Sequence, residues 1–312
     1  MTAEVLMAIC TYEPKPTDLV RAISSCLNQK GVKAESRRIV VIDNGSEETD
    51  VPALVADLDV EVVREPRVGL AYARIAATEA VQNEQLVVFV DDDIELSPNF
   101  VASALRLYRE NPNLGAFAGP SHLPSGCLAR RNRHLARFLA IRDLGLSSAV
   151  VPASLEWRHE EPTGAGLVIS RPCWDILRAE VANTDHPYFA LGRSGSSLIS
   201  AEDSFIARVI SAQGLEWGYF SELLVTHHVD AARFRSRYLR KLLFNFGRSD
   251  VLLQQALKRQ RTEWSSTSLA NVVRFFLWRL GRERSPAILT MRELGQWYQG
   301  RRPLYQTQLP RE

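Results

Sequence analysis

Leu86-Val87-Val88-Phe89-Val90-Asp91-Asp92-Asp93 is an unbroken apolar run that ends in three carboxylates. Five apolar residues without alternation describe a strand covered on both faces, as in a parallel sheet flanked by helices. In open α/β sheets the carboxyl ends of the strands are where ligands bind. Carboxylates two residues apart at such an end can hold a hard cation, Mg2+ or Mn2+, against a diphosphate. The competing reading is an acidic turn leading into a helix capped by Ser97, with Pro98 at its first position.

Upstream and downstream the same grammar repeats. Val5–Cys10, Ile39–Asp43, Val60–Val63 and Leu114–Ala118 read as further strands. Leu19, Val20, Ile23, Cys26 and Leu27 keep helical spacing after a Thr17 cap, and Val101, Ala104, Leu105 and Tyr108 do so after Ser97. Alternating strands and helices predict an α/β fold with a layered sheet. Ser200-Ala201-Glu202-Asp203 opens another helix, with Phe205, Ile206, Val209 and Ile210 on one face and Gly214 at its end.

Charge divides the 312 residues unevenly. The net formal charge is +2, yet from Asp230 onward 17 Lys/Arg face 6 Asp/Glu. Residues 1–229 therefore read as the α/β domain and 230–312 as a basic, amphipathic helical extension, with helices expected over Phe234–Phe246, Val251–Arg261, Leu269–Leu280 and Thr290–Trp297. Such helices can rest on an anionic membrane surface, or pack on the domain or on a second copy of the chain as a homodimer. No nucleic-acid partner is expected. Leu269–Leu280 is interrupted by Asn271, Arg274 and Arg279 and is too short to span a bilayer. Cys10, Cys26, Cys127 and Cys173 are widely spaced, and the N-terminus enters a strand without a signal-like apolar stretch. A cytoplasmic protein with reduced thiols, peripheral at the inner face of the membrane if the extension binds there, is the expectation.

Read in order, the strand ends carry Cys10-Thr11-Tyr12-Glu13, then Asp43-Asn44-Gly45-Ser46, then Asp91-Asp92-Asp93. A carboxylate such as Asp43 can accept the imide N–H of uracil or the N1–H and N2–H2 of guanine, and the Tyr12 ring can flank a base. Asp43-Asn44-Gly45 is also an ordinary turn. Arg74 offers a rigid donor fork suited to phosphate, with Gly69 allowing close backbone approach; taken alone it could be a surface arginine. Asp203 could complete a capping box with Ser200. His227 and His228 end a strand-like segment, so only one of them faces the triplet.

Together, Thr11-Tyr12-Glu13, Val41–Ser46, Gly69-Leu70-Ala71-Tyr72-Ala73-Arg74, Val90–Asp93 and Glu202-Asp203 resemble the successive motifs of family 2 glycosyltransferases with the GT-A fold, over roughly residues 4 to 230. The resemblance implies a GT-A type, Rossmann-like mixed sheet flanked by helices and an inverting transfer from a nucleoside diphosphate sugar, usually a UDP-sugar, to a saccharide or lipid-linked acceptor. Surface polysaccharide or glycoconjugate assembly is the setting that it suggests. It implies that Thr11, Tyr12, Glu13 and Asp43 hold the base and that Arg74 approaches the diphosphate. Asp91 and Asp93 would form the DxD pair on donor and metal, Asp92 and Glu202 would lie beside the substrate, and Asp203 would be the catalytic base. His227 aligns as a third metal ligand, with His228 as the alternate, for Mn2+ or Mg2+. Gly164–Ile169 is similar to the strand that floors the donor-sugar pocket, with Gly166 leaving room for a hexose. Trp157 and Trp174 could stack on sugars or fill the core.

Two other classes share parts of this pattern. A sugar-nucleotide nucleotidyltransferase would also want a sheet and Mg2+, but Thr11-Tyr12-Glu13-Pro14 stands where its Gly-rich loop with Arg and Lys would be. A non-catalytic sugar-nucleotide-binding protein would have no need of both Glu202 and Asp203.

Overall fold

The computed structural model describes residues 3–125, 139, 142–154 and 158–257. Strands and helices alternate from the start: β1 (Val5–Thr11), α1 (Pro16–Leu27), β2 (Arg37–Asp43), α2 (Val51–Leu54), β3 (Glu61–Arg64), α3 (Leu70–Glu79) and β4 (Leu86–Asp91). There follow β5 (Ile94–Leu96), α4 (Phe100–Glu110), β6 (Leu114–Ala118), β7 (Ser121–His122), β8 (Ser148–Val151), β9 (Val168–Ser170) and α5 (Arg171–Glu180). The described chain closes with α6 (Glu202–Ala212), β10 (Glu216–Phe220), β11 (Val225–His227) and α7 (Ser236–Ala256).

Eight strands form one sheet in the order β3-β2-β1-β4-β9-β6-β10-β8. The first four run parallel, whereas β9 is antiparallel to both β4 and β6, and β8 is antiparallel to β10. The sheet is therefore mixed. Its chain order reverses between β1 and β4, and at such a switch point the adjoining loops splay apart and open a crevice. Thr11 is level with Asp43, and Cys10 with Asp91, so the three polar groupings predicted from sequence share this edge.

The alternation of strand side chains builds a core on each face. Val5, Met7 and Ile9 join Leu19 and Ile23 of α1 and Phe100 and Ala104 of α4. Leu6, Ala8 and Cys10 join Ala73 of α3, Trp174 of α5 and Phe205 and Ile206 of α6. Trp174 is 1% exposed in this second layer, which excludes it from sugar stacking; Trp157 lies outside the described residues. Cys10, Cys26 and Cys173 are free, buried thiols, and burial pushes Cys10 and Cys26 up to about 12.

Three local expectations are corrected. Helix α1 starts at Pro16 with Lys15 as its cap rather than Thr17, because proline's fixed φ suits the first helical position and it has no N–H to leave unpaired. The acidic triplet does not lead into a Ser97-capped helix: it turns into β5, and α4 begins after Asn99. The stretch expected as a strand from Gly164 is extended only over Val168–Ser170, since Gly166 turns the backbone at φ +71, where an added Cβ would lie 2.7 Å from Val225.

A second, three-stranded sheet, β5-β11-β7, places Ile94 opposite His227, and so brings the end of the triplet to the end of β11. After it, α7 runs as one helix where two were expected. The interval at 247–250 is helix, with Ser249 Oγ donating to the Asn245 carbonyl. Leu252 and Ala256 of α7 lie in the same core as α5 and α6, and Leu239 and Leu242 cluster with Val229 and Leu139. The first part of the basic extension thus packs on the α/β layers. Leu269–Leu280, Thr290–Trp297 and Cys127 lie outside the described residues. Among the described residues no helix is long and apolar enough to cross a membrane.

Candidate active site

On the β1–β2 side, each carboxylate holds backbone. Glu13, at φ +46, accepts the N–H groups of Glu47 and Glu48 on one oxygen and of Thr49 on the other, at 2.6, 3.0 and 3.1 Å. Those backbone donors at Glu48 and Glu47 lower its pKa. Its own N–H donates to Ser46 Oγ. Asp43, 1% exposed, accepts the Ser46 N–H at 2.9 Å and pairs with Arg64 at 2.7 Å. The Asn44 side chain donates to the Arg67 carbonyl and accepts the Gly69 N–H, tying this turn to the start of α3. Tyr12 is 45% exposed, leaving its ring free to flank a planar group.

At the switch point the charges are packed differently. The Thr11 hydroxyl donates to Asp92 Oδ2 across the crevice between β1 and β4. Burial raises Asp91, opposed by Arg74 and reinforced by Asp93. Burial also pushes Asp92 up to about 7, opposed by the Thr11 hydrogen bond and reinforced by repulsion from Asp93 and Asp91. Partial burial acts on Asp93 in the same direction, but His227 and Arg233 outweigh it and hold the carboxyl down at about 2. His227 Nε2 lies 3.3 Å from Asp93 Oδ1, while Arg233 Nη1 lies 3.1 Å from Oδ2. His228 points elsewhere, to Glu95. The register of β11 against β5 decides this division, because adjacent strand residues face opposite sides.

A third group sits behind. Arg74 is 1% exposed, so α3 presents it to the interior rather than to open solvent. Its Nη1 meets Glu202 Oε1 at 3.2 Å, with Glu202 itself 2% exposed. Burial raises Glu202 and Arg74 counters it, while Asp91 and Asp203 also lie within reach of the Arg74 charge. Gly164 makes this possible: a Cβ there would fall 2.3 Å from Arg74 Nη2. Asp203 accepts the Gly164 N–H on Oδ2 at 2.9 Å and the Ser204 N–H on Oδ1 at 2.8 Å. The capping box with Ser200 is not formed. Ala201 caps α6, and the Ser200 N–H donates to Ser249 on α7. Glu161 and Arg208, both buried and paired at 2.5 Å, pin the loop that carries Gly164.

The resemblance implies a divalent cation, and the residues fit one in part. Both ring nitrogens of buried His227 lack a well-formed hydrogen bond, and Nε2 stands against the Asp93 carboxylate. Among the described residues no group of three His, Cys, Asp or Glu side chains is arranged as a cage. Mg2+ and Mn2+ at phosphate-handling sites need no cage, since one or two protein ligands plus phosphate oxygens suffice. Asp93 and His227, with Asp91 nearby, meet that requirement.

Sequence reasoning missed Arg233, Gly164 and the Glu161–Arg208 pair. Arg233 was visible only as one of many arginines after Asp230, and nothing local distinguishes it. By sequence Gly164 belongs to the floor of a sugar pocket, whereas in the structure its lack of a side chain admits Arg74.

Residues 7–146 match the model of the glycosyl transferase family 2 domain. No curated protein matches the chain. Among solved structures, that of TarS from S. aureus is similar with a TM-score of 0.51 at 13% identity, over 95% of this chain and 53% of TarS. The chain spans about half the length of that protein, and the likeness is one of fold.

Proposed function

We infer that this chain, whose residues 7–146 match the glycosyl transferase family 2 model, is a glycosyltransferase that takes its sugar from a nucleoside diphosphate sugar, UDP-linked, and inverts the anomeric carbon. The observation that carries this reading is the convergence on one sheet edge of Asp91–Asp93, His227 and the Asp203 end of α6, coupled through the buried Arg74.

In this reading the base rests between Tyr12 and the Asp43 turn. Each Asp43 oxygen keeps a second lone pair, and Arg64, with a side chain 56% exposed, can turn aside. Asp203 takes the proton of the acceptor hydroxyl as that oxygen attacks from the face opposite the leaving diphosphate. The Gly164 and Ser204 N–H groups fix the carboxylate for that transfer. Arg74 acts from within: it neutralises Glu202 and Asp91 so that several carboxylates can share one cleft. Asp91, Asp93 and His227 would hold a divalent cation, which supplies charge neutralisation for the departing diphosphate. Single displacement needs no protein nucleophile, and inversion follows from it. Gly166 lies in the turn that would border the sugar. A saccharide or lipid-linked hydroxyl is the acceptor class, and the basic segment after α7 would bring the enzyme to the inner membrane face.

Incubation with a panel of UDP-, GDP- and dTDP-sugars, with Mn2+ or with EDTA, tests this reading through release of free nucleoside diphosphate. UDP release that needs the cation supports it. Binding without release supports a sensor, and pyrophosphate release from a nucleoside triphosphate plus sugar phosphate supports a nucleotidyltransferase.

A further inference from the structure

Arg233 lies on a short helical turn, Ala231–Phe234, between β11 and α7, and no expected role accounts for its contact with Asp93. Asp93 has one oxygen facing His227 and the other facing Arg233, so both are engaged before any cation arrives. A guanidinium and a hard cation repel each other at this range, and both cannot rest on the same oxygen. The turn that carries Arg233 is anchored at one end by Phe234, which packs against the Val229, Leu239 and Leu242 cluster, and fastened at the other by polar contacts at Asp230. The Arg233 N–H donates to the Asp230 carbonyl, the Asp230 carboxylate accepts the Ala232 N–H, and its other oxygen meets Lys15 Nζ at 2.5 Å. Lys15 and Asp230 have exposed side chains, 63% and 45%, and exposed pairs contribute little. Lys15 belongs to the loop that follows Glu13, so the turn is fastened to the base-side loops.

We propose that Arg233 is the resting counter-ion of Asp93, a positioning residue that keeps cation affinity low until the donor diphosphate arrives and draws the guanidinium onto itself. The proposal rests on the metal-dependent transferase reading. The chemistry of the side chain supports the exchange, since a planar donor fork binds phosphate oxygens bidentately as well as it binds a carboxylate. Cation and nucleotide then bind with positive coupling. Linkage makes that coupling reciprocal, so the cation must raise the affinity for the nucleotide by the same factor by which the nucleotide raises that for the cation.

Direct Mn2+ binding to the full chain, followed by the electron paramagnetic signal of free Mn2+ with and without UDP and corrected for the Mn2+–UDP complex by protein-free titration, tests this without reference to turnover. The native protein should bind Mn2+ weakly alone and about tenfold or more tightly with UDP. R233Q should bind Mn2+ about tenfold more tightly without UDP, and its UDP effect should shrink by a similar factor to the part that the phosphate oxygens supply. R233K, which keeps charge without the fork, should keep weak donor-free binding while losing part of the UDP effect. Should R233Q fail to fold, D230N, which loosens the turn, carries the same prediction with a smaller shift. Unchanged donor-free Mn2+ affinity in the folded R233Q or D230N protein, with D93N still abolishing binding in UDP, overturns the counter-ion role and leaves the site standing. Mn2+ binding indifferent to D93N overturns the site and the proposal together.

Discussion

The two sides of the crevice use carboxylates in opposite ways. On the β1–β2 side, Glu13 and Asp43 spend their oxygens on backbone N–H groups and on one exposed arginine, so their negative charge serves to hold two turns in place. On the β4–α6 side, Asp91, Asp92, Asp93, Glu202 and Asp203 crowd around Arg74, Arg233 and His227, and Arg74 Nε and both His227 nitrogens lack hydrogen-bond partners among the described residues. Buried polar atoms are nearly always satisfied in native proteins, and clusters that are not mark places where a ligand completes the network. The first side is therefore a rigid seat, and the second carries the charges that a ligand would rearrange.

The largest effect should come from the second side. Asp203→Asn keeps the oxygen that can accept the Gly164 or Ser204 N–H but removes the proton acceptor, so kcat should fall about 10²–10⁴-fold while UDP-sugar affinity stays within a few-fold. An active Asp203→Asn beside a dead Glu202→Gln would reverse their roles. Asp93→Ala comes next: cation-dependent transfer should fall roughly a hundredfold or more, and the melting temperature should fall too, because His227 and Arg233 lose the carboxylate that they hold down at about 2. A variant as active in EDTA as the native protein is in Mn2+ would break the contrast at its metal end.

Gly164→Ala probes the support beneath. With a Cβ 2.3 Å from Arg74 Nη2, either the arginine or the loop must move, and a loss of about 1–3 kcal/mol is expected from denaturant unfolding. Gly195→Ala is its control, with open space around the added carbon and a cost of about 1–2 kcal/mol from the φ of +50 alone. Equal losses with equal activity would mean that Arg74 does not depend on the glycine.

The smallest effect belongs to the seat. Glu13 has its pKa lowered in the folded protein by the N–H groups that it binds, so its contribution is present above the ordinary glutamate range and is lost as pH falls below it. Glu13→Gln should be slightly less stable than the native chain at pH 7, and the two melting curves should converge below about pH 4. A gap that widens in acid would show that the clamp is not electrostatic.

Particular residues show where sequence reasoning stopped. The Leu86–Val90 run was legible because a strand covered on both faces leaves no polar position, and β4 indeed ends at Asp91. Helix starts were less legible: Thr17 and Ser97 are good caps by type, yet Pro16 and Asn99 mark the observed boundaries because backbone geometry in the turn before the helix decides the cap. Arg74 was recognisable as a phosphate-type residue, but its burial against Glu202, far along the chain, was not.

Periodicity and short motifs in the chain were enough for the alternation of layers, the placing of polar groups at strand ends and the match of residues 7–146 to the glycosyl transferase family 2 model. Both signals are local. Only the tertiary structure decided the partners: that His227 and Arg233 divide the two oxygens of Asp93, that Gly164 admits Arg74, and that α7 lays Leu252 and Ala256 into the core instead of standing apart. Charge pairing of this kind depends on which strand ends the topology brings together, and a guanidinium carries no mark in the chain of the carboxylate it will meet.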